Sequence, residues 1–159
     1  MDLPKRKPNR IKDYDYSQNG AYFITICSKD KKHLFWDNCV GAPIGRPQHK
    51  LTEYGIIVES AIKNIPIIYP SVSVDNFVIM PNHIHLLLSI HGNENGRPMG
   101  APTISTVINQ FKGFVSKQAG FSVWQKLFYD HIVRGEQDYE EIWEYIDANP
   151  LKWENDEFY

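Results

Sequence analysis

His83-Ile84-His85 sets two imidazoles two residues apart. In a β-strand that spacing puts both on one face, with backbones ~6–7 Å apart from two strand rises. Both rings can then converge on one divalent ion. Two histidines leave most of a coordination shell open, and imidazole with added oxygen ligands suits Mn²⁺, Mg²⁺ or Zn²⁺, with room for phosphate oxygens. A lone His-x-His is more often a pair of half-exposed histidines on a sheet. A second candidate lies near the C-terminus. Tyr145 sits about 110° from the centre of the apolar stripe of a helix, at ~100° per residue, and Asn149 is four residues further along the same flank. A phenol is mostly protonated at neutral pH. Beside a metal that polarises a phosphodiester it can attack phosphorus and form a covalent phosphotyrosine. The plainer alternative is an amphipathic tyrosine at a core boundary, with an asparagine closing the helix.

The surrounding elements must present these groups. Residues 21–27 are aromatic and β-branched and predict a strand. A helix is expected from Thr52 as N-cap to Ile65, stopped by Pro66. Residues 74–80 and 83–90 read as a hairpin turning at Pro81-Asn82. Its second strand turns Ile84, Leu86, Leu88 and Ile90 to one face, and His83, His85, Leu87 and Ser89 to the other. Ile104 to Gln118 predicts a helix ended by Gly120, and residues 127–134 a last strand. A final helix is expected from an Asp138 cap to Ala148, with a stripe of Tyr139, Ile142, Trp143 and Ile146 facing the body. Gly- and Pro-rich residues 41–49 and 92–102 are loops. The order β-α-β-β-α-β-α predicts an α+β, ferredoxin-like (RRM-like) antiparallel sheet with helices packed on it and an extra C-terminal helix carrying Tyr145.

The 159 residues suit one domain, with 42% hydrophobic and 23% charged residues. Residues 1–19 read as a basic arm, 20–153 as one catalytic domain and 154–159 as an acidic tail. The net charge of −2 argues against a nucleic-acid binder until it is resolved along the chain. Residues 1–12 carry five basic groups against one acid, and residues 136–159 carry nine acids against one base. Cys27 and Cys39 make neither a disulfide scaffold nor a zinc site by themselves. The polar first 20 residues hold no signal peptide, and no apolar run spans a bilayer. A soluble cytoplasmic protein with no membrane partner is expected.

The stretch Val78-Ile-Met-Pro-Asn-His-Ile-His85 resembles the His-hydrophobic-His signature of the single-tyrosine HUH transposases, and more narrowly that of the REP-associated tyrosine transposases. Trp124-Gln125, Phe128-Tyr129-Asp130-His131 and Arg134 are similar to that group's Trp-Gln…Asp/Glu-His…Arg segment. Glu144-Tyr145-Ile146-Asp147-Ala148-Asn149-Pro150 resembles its Tyr-Ile-x-x-Asn-Pro motif. The resemblance spans about residues 10–153. It implies a DNA transposase or endonuclease working in the prokaryotic cytoplasm and nucleoid. Tyr145 would be the nucleophile, and His83, His85 and Asn149 the ligands of a divalent ion, Mg²⁺ or Mn²⁺. The implied partner is single-stranded DNA bearing palindromic hairpins, handled by a monomer or a homodimer. Lys5, Arg6, Lys7, Arg10 and Lys12 could then neutralise phosphates, with Tyr14 and Tyr16 as stacking surfaces and Lys112, Lys117 and Arg134 as further contacts. His131 and Asp130 read as a structural pair. The competing reading is a non-catalytic RRM-like nucleic-acid module using Tyr22 or Phe23 to stack bases.

Overall fold

The computed structural model describes residues 20–37, 50–91 and 102–150. The basic arm, including Lys5, Arg6, Lys7, Arg10, Lys12, Tyr14 and Tyr16, lies outside these residues, as do the acidic tail, Cys39 and most of both Gly/Pro-rich loops.

Strand β1 is Gly20–Cys27, helix α1 Glu53–Ile68, strand β2 Val72–Ile79 and strand β3 His83–Ile90. Helix α2 (Ile104–Ala119), strand β4 (Tyr129–Ile132) and helix α3 (Gly135–Ala148) complete the order. The sheet runs β2-β3-β1-β4 with every neighbouring pair antiparallel. This is the split βαβ expected from the sequence. Strand β3 is central, and its alternation builds two cores. Ile84, Leu86, Leu88 and Ile90 pack with Ile24 and Ile26 of β1, Val58, Ile62 and Ile65 of α1, and Val107, Ile108 and Val115 of α2. On the opposite face Leu87 meets Ile142 and Ile146 of α3, with Phe23, Val78 and Tyr139 packed alongside. The extra C-terminal helix therefore covers the face that carries the histidines.

Several boundaries differ from the sequence-based expectation for identifiable reasons. Helix α1 continues through Pro66 to Ile68, and the Tyr69 N–H donates to Ile65 O at 2.8 Å. Proline removes one donor but keeps a helical φ, and burial of Ile65 anchors the turn around it. Helix α3 starts at Gly135, after Arg134 as N-cap, rather than at an Asp138 cap. Asp138 stands one turn inside, where its Oδ2 accepts from the Arg134 N–H at 2.8 Å and from His131 Nε2 at 2.9 Å. This bond reaches back from inside the helix to the N–H of its N-cap residue, and it gives His131 a partner on α3. Strand β4 is short because only four of its residues pair with β1. Gly120 ends α2 with φ 86°, the left-handed closure that favours glycine.

Candidate functional site

The histidine pair is buried rather than half-exposed: His83 is 0% and His85 1% exposed. Burial there needs partners, and each ring has them. The His83 Nδ1–H donates to Asn82 Oδ1 at 2.7 Å. Asn82 is itself buried in the hairpin turn, which is closed by the Met80 N–H donating to His83 O at 2.8 Å. His85 Nδ1 is 2.8 Å from Thr25 Oγ1, its register partner on β1. The two Nε2 atoms face each other at 3.1 Å. With His83 protonated at Nδ1, the His85 Nε2–H donates to His83 Nε2, and the Thr25 hydroxyl donates to His85 Nδ1.

Both rings are neutral. Burial first, and the nearby Lys31 charge second, push His83 down to about 3. Burial, then His83, holds His85 well below the ordinary imidazole range. Neutral imidazole is the metal-binding form. Two imidazole nitrogens on one ion at 2.0–2.1 Å, with ligand angles of roughly 90–110°, lie about 2.8–3.4 Å apart. The 3.1 Å separation falls in that range. Each outer nitrogen is held by an oxygen, the arrangement that orients metal-bound histidines.

Helix α3 brings the tyrosine over this pair. The Tyr145 ring meets His85 at a centroid distance of 5.4 Å and Phe23 at 6.0 Å, both edge-on. Phe23 stacks on His85 at 5.2 Å and 22°. Tyr145 remains 41% exposed while its ring is held against both. One turn on, Asn149 is 3% exposed, and its Nδ2 has no hydrogen-bond partner. An orphaned buried amide is costly. Among the described residues, no three His, Cys, Asp or Glu side chains form a metal cluster. The two imidazoles are the described groups whose spacing suits a shared ion.

Helix α3 is tied down at its edges as well. Tyr139 Oη donates to Asp75 Oδ2 at 2.8 Å, Ser89 Oγ donates to the same oxygen, and Asn76 Nδ2 donates to Asp147 Oδ1 at 3.1 Å. Asp75 stands at an irregularity in the β2–β3 pairing between Val74 and Asn76. Trp143, expected on the buried stripe, is 38% exposed and contacts the Tyr139 ring.

The other predicted positions are dispersed. Lys112 Nζ donates to Gln125 O at 2.7 Å and Lys126 O at 3.1 Å, so its ammonium clamps the chain before β4. Lys117 and Arg134 are exposed. Trp124 is buried between the Phe35 and Phe111 rings and serves the core. Tyr22 is fully buried, and Phe23 lies beneath Tyr145 against His85. Neither offers the open aromatic platform of an RRM-like sheet. Sequence reasoning missed Asn82, Thr25 and Phe23 as the groups that orient the site. The Thr25 position was recoverable in principle, since a strand pairing with 83–90 must set some residue opposite His85.

No family model matches the chain. It is 37% identical, over 97% of its length and 93% of the other's, to a Haemophilus influenzae protein of uncharacterised function. A second Haemophilus influenzae protein, provisionally named a REP-associated tyrosine transposase, is 27% identical over 87% of this chain and 74% of its own. The REP-associated tyrosine transposase of Escherichia coli K12 is 23% identical over 86% of this chain and 70% of its own. Among solved structures, a REP-associated tyrosine transposase bound to a REP hairpin superposes with a TM-score of 0.59 at 21% identity, covering 84% of this chain and 68% of the other. No described helix is long and apolar enough to cross a membrane.

Proposed function

We propose, from its similarity to REP-associated tyrosine transposases and from the site geometry, that the chain cleaves and rejoins single-stranded DNA at palindromic hairpin elements. The observation that carries this reading is the Tyr145 ring edge-on against buried, neutral His85, 5.4 Å between centroids. Tyr145 is the nucleophile. His83 and His85, with Asn149 as third donor, would hold one divalent ion, Mg²⁺ or Mn²⁺. When bound, that ion polarises the scissile phosphate and stabilises the charge of its transition state.

The chain's own residues do the rest. Phe23, stacked on His85 and edge-on to Tyr145, fixes the angle between ligand and nucleophile. Asn82 and Thr25 hold the imidazoles with their Nε2 atoms inward. Tyr145 Oη forms the bond to phosphorus as the phosphorus–O3′ bond breaks. The phenol proton passes to water, and O3′ takes up a proton. One strand end is left as a 5′-phosphotyrosine and the other as a 3′-hydroxyl. The bond energy is retained, so a 3′-hydroxyl can reverse the step without ATP. The histidines and the tyrosine of one chain meet, which supports a site assembled within a single subunit.

The test is a denaturing gel of protein incubated with labelled hairpin DNA and Mn²⁺ or Mg²⁺. A covalent adduct that disappears in Tyr145→Phe supports the reading. Tight binding with no adduct from any hairpin of the source genome would make the protein a binding module. Cleavage that persists in Tyr145→Phe would assign the chemistry to another nucleophile.

A further inference from the structure

A basic turn adjoins the histidine end of the site. Strand β1 ends with Cys27 paired to His83, and the chain then enters a single 3₁₀ turn, Lys29–Lys31. Within it Asp30 (φ 59°) and Lys31 (φ 53°) are both left-handed. Two consecutive non-glycine residues in that region cost free energy and persist only where the surroundings impose them. Here they do. The Ser28 N–H donates to Asn82 O at 2.9 Å, and the Lys29 N–H to Val123 O at 2.8 Å. Ser28 Oγ donates to Lys32 O at 2.7 Å. The turn is thereby fastened to Asn82, the residue that orients His83. It holds Lys29, Lys31 and Lys32 at the surface, all exposed.

Charge is unevenly shared between the elements around the site. Helix α3, which carries Tyr145, exposes Glu136, Glu140, Glu141 and Glu144. A polyanionic strand is repelled by those acids and attracted by the basic turn. The clamped segment before β4 runs beside the turn, since the Gln125 N–H donates to Cys27 O at 2.9 Å, and it adds exposed Lys126. The net charge of −2 conceals this local basic ledge.

We propose that Lys31, supported by Lys29 and Lys32, is a positioning residue that binds a backbone phosphate of the DNA strand flanking the one at the histidine pair. The strand then enters over the basic turn and presents its scissile phosphate to Tyr145 at the histidine end of the site. This rests on the DNA-cleaving reading above for the identity of the strand. The contact is electrostatic and independent of base, so it sets where the backbone lies and leaves sequence choice to other groups.

The experiment measures binding of a fluorescein-labelled single strand, with and without a hairpin, by anisotropy over a salt series. All proteins carry Tyr145→Phe so that nothing is cleaved. Lys31→Ala should weaken binding several-fold and flatten the slope of log affinity against log salt by about 0.7, the value for one lost single-strand phosphate contact. Lys31→Arg should restore the slope, and Lys31→Glu should weaken binding beyond Lys31→Ala. Lys63→Ala, removing an exposed lysine of α1 paired with Glu59, should leave it unchanged. In proteins retaining Tyr145, Lys31→Ala should raise KM more than it lowers kcat. A wild-type slope and affinity in Lys31→Ala, or an equal loss in Lys63→Ala, overturns the assignment. Wild-type protein that forms no adduct while the Lys31 slope shifts as expected would remove the catalytic reading and leave phosphate binding standing.

Discussion

Ile146→Ala tests whether the tyrosine helix is a separately docked unit. The second core holds three buried residues, Leu87, Ile142 and Ile146, and α3 supplies only the two isoleucines. Burying each contributes roughly 1.5–3 kcal/mol, so apolar docking of α3 amounts to about 3–6 kcal/mol before its ordering cost. Ile146 is 1% exposed, and an Ile→Ala change in a core costs about 2–5 kcal/mol. One substitution therefore removes about half or more of what holds the helix. The first core, on the other face of the sheet, makes no use of Ile146. The expected result is selective opening. In native-state hydrogen exchange, amides of residues 142–148 should lose protection by about 30-fold or more, the equivalent of 2 kcal/mol at 1.36 kcal/mol per decade. Amides of β3 should stay protected. Ile84→Ala, cut from the opposite face of the same strand, should instead lower protection throughout the sheet and α1. Equal loss in α3 and β3 on Ile146→Ala would refute the reasoning and make α3 part of one cooperative unit.

Other predictions follow from single contacts. Asn82→Ala should weaken Mn²⁺ binding 10–100-fold in calorimetry on the full chain, because the bond holding His83 Nδ1 is lost; unchanged affinity would show the ring is held by packing alone. Gly55→Ala should lower Tm, since a Cβ there would meet Phe35 O at 2.4 Å. At about 1–3 kcal/mol the drop is about 2–12 °C, whereas Gly113→Ala, with nothing within 4 Å, should raise stability by about 0.5–1 kcal/mol. Burial first, then the bond to Asp75, pushes the Tyr139 phenol up to about 12. The unfolded chain loses that proton first, near the ordinary ~10. The stabilisation is therefore complete below pH 10 and is lost as pH rises through about 12. Tyr139→Phe should remove that alkaline dependence in thermal melts, and an unchanged profile would count against the Asp75 contact.

Much of the framework was legible because it depends on periods and punctuation. Alternation along 83–90 assigned Ile84 and Leu86 to one face and the histidines to the other, and Pro81-Asn82 marked the turn between the strands. Burial of the histidines was not legible. It requires α3 to return over the second face, and an amphipathic stripe does not say which surface it will cover. The start of α3 was misread for a related reason. Asp138 carries a capping side chain, but it is used from inside the helix, reaching back to Arg134. Pro66 misled because a stop signal acts through one missing hydrogen bond, and buried Ile65 outweighs it. The basic turn gave no signal beyond a run of charge, since its conformation is imposed by Asn82 and Val123, distant in sequence.

The site divides its labour according to how firmly each part is held. The histidines lie on the central strand, paired on both sides, and their outer nitrogens are bonded to Asn82 and Thr25. What joins the rings to each other is one Nε2 contact of 3.1 Å, worth about 0.5–1.5 kcal/mol net for a typical hydrogen bond. Exposing both nitrogen lone pairs inward requires only that the His85 proton move from Nε2 to Nδ1, where the Thr25 hydroxyl can turn from donor to acceptor. Neither ring has to rotate and no backbone has to shift. The histidine half is thus preorganised for the proposed ion, and its cost of engagement is a proton shift. The tyrosine half is the reverse: Tyr145 rides on a helix fixed by two isoleucines and a few edge hydrogen bonds. On the proposed function, a tyrosine that first attacks and then carries a strand end benefits from lying on the less firmly held half. Substitutions under α3 should therefore change the placement of Tyr145 well before they disturb the imidazoles.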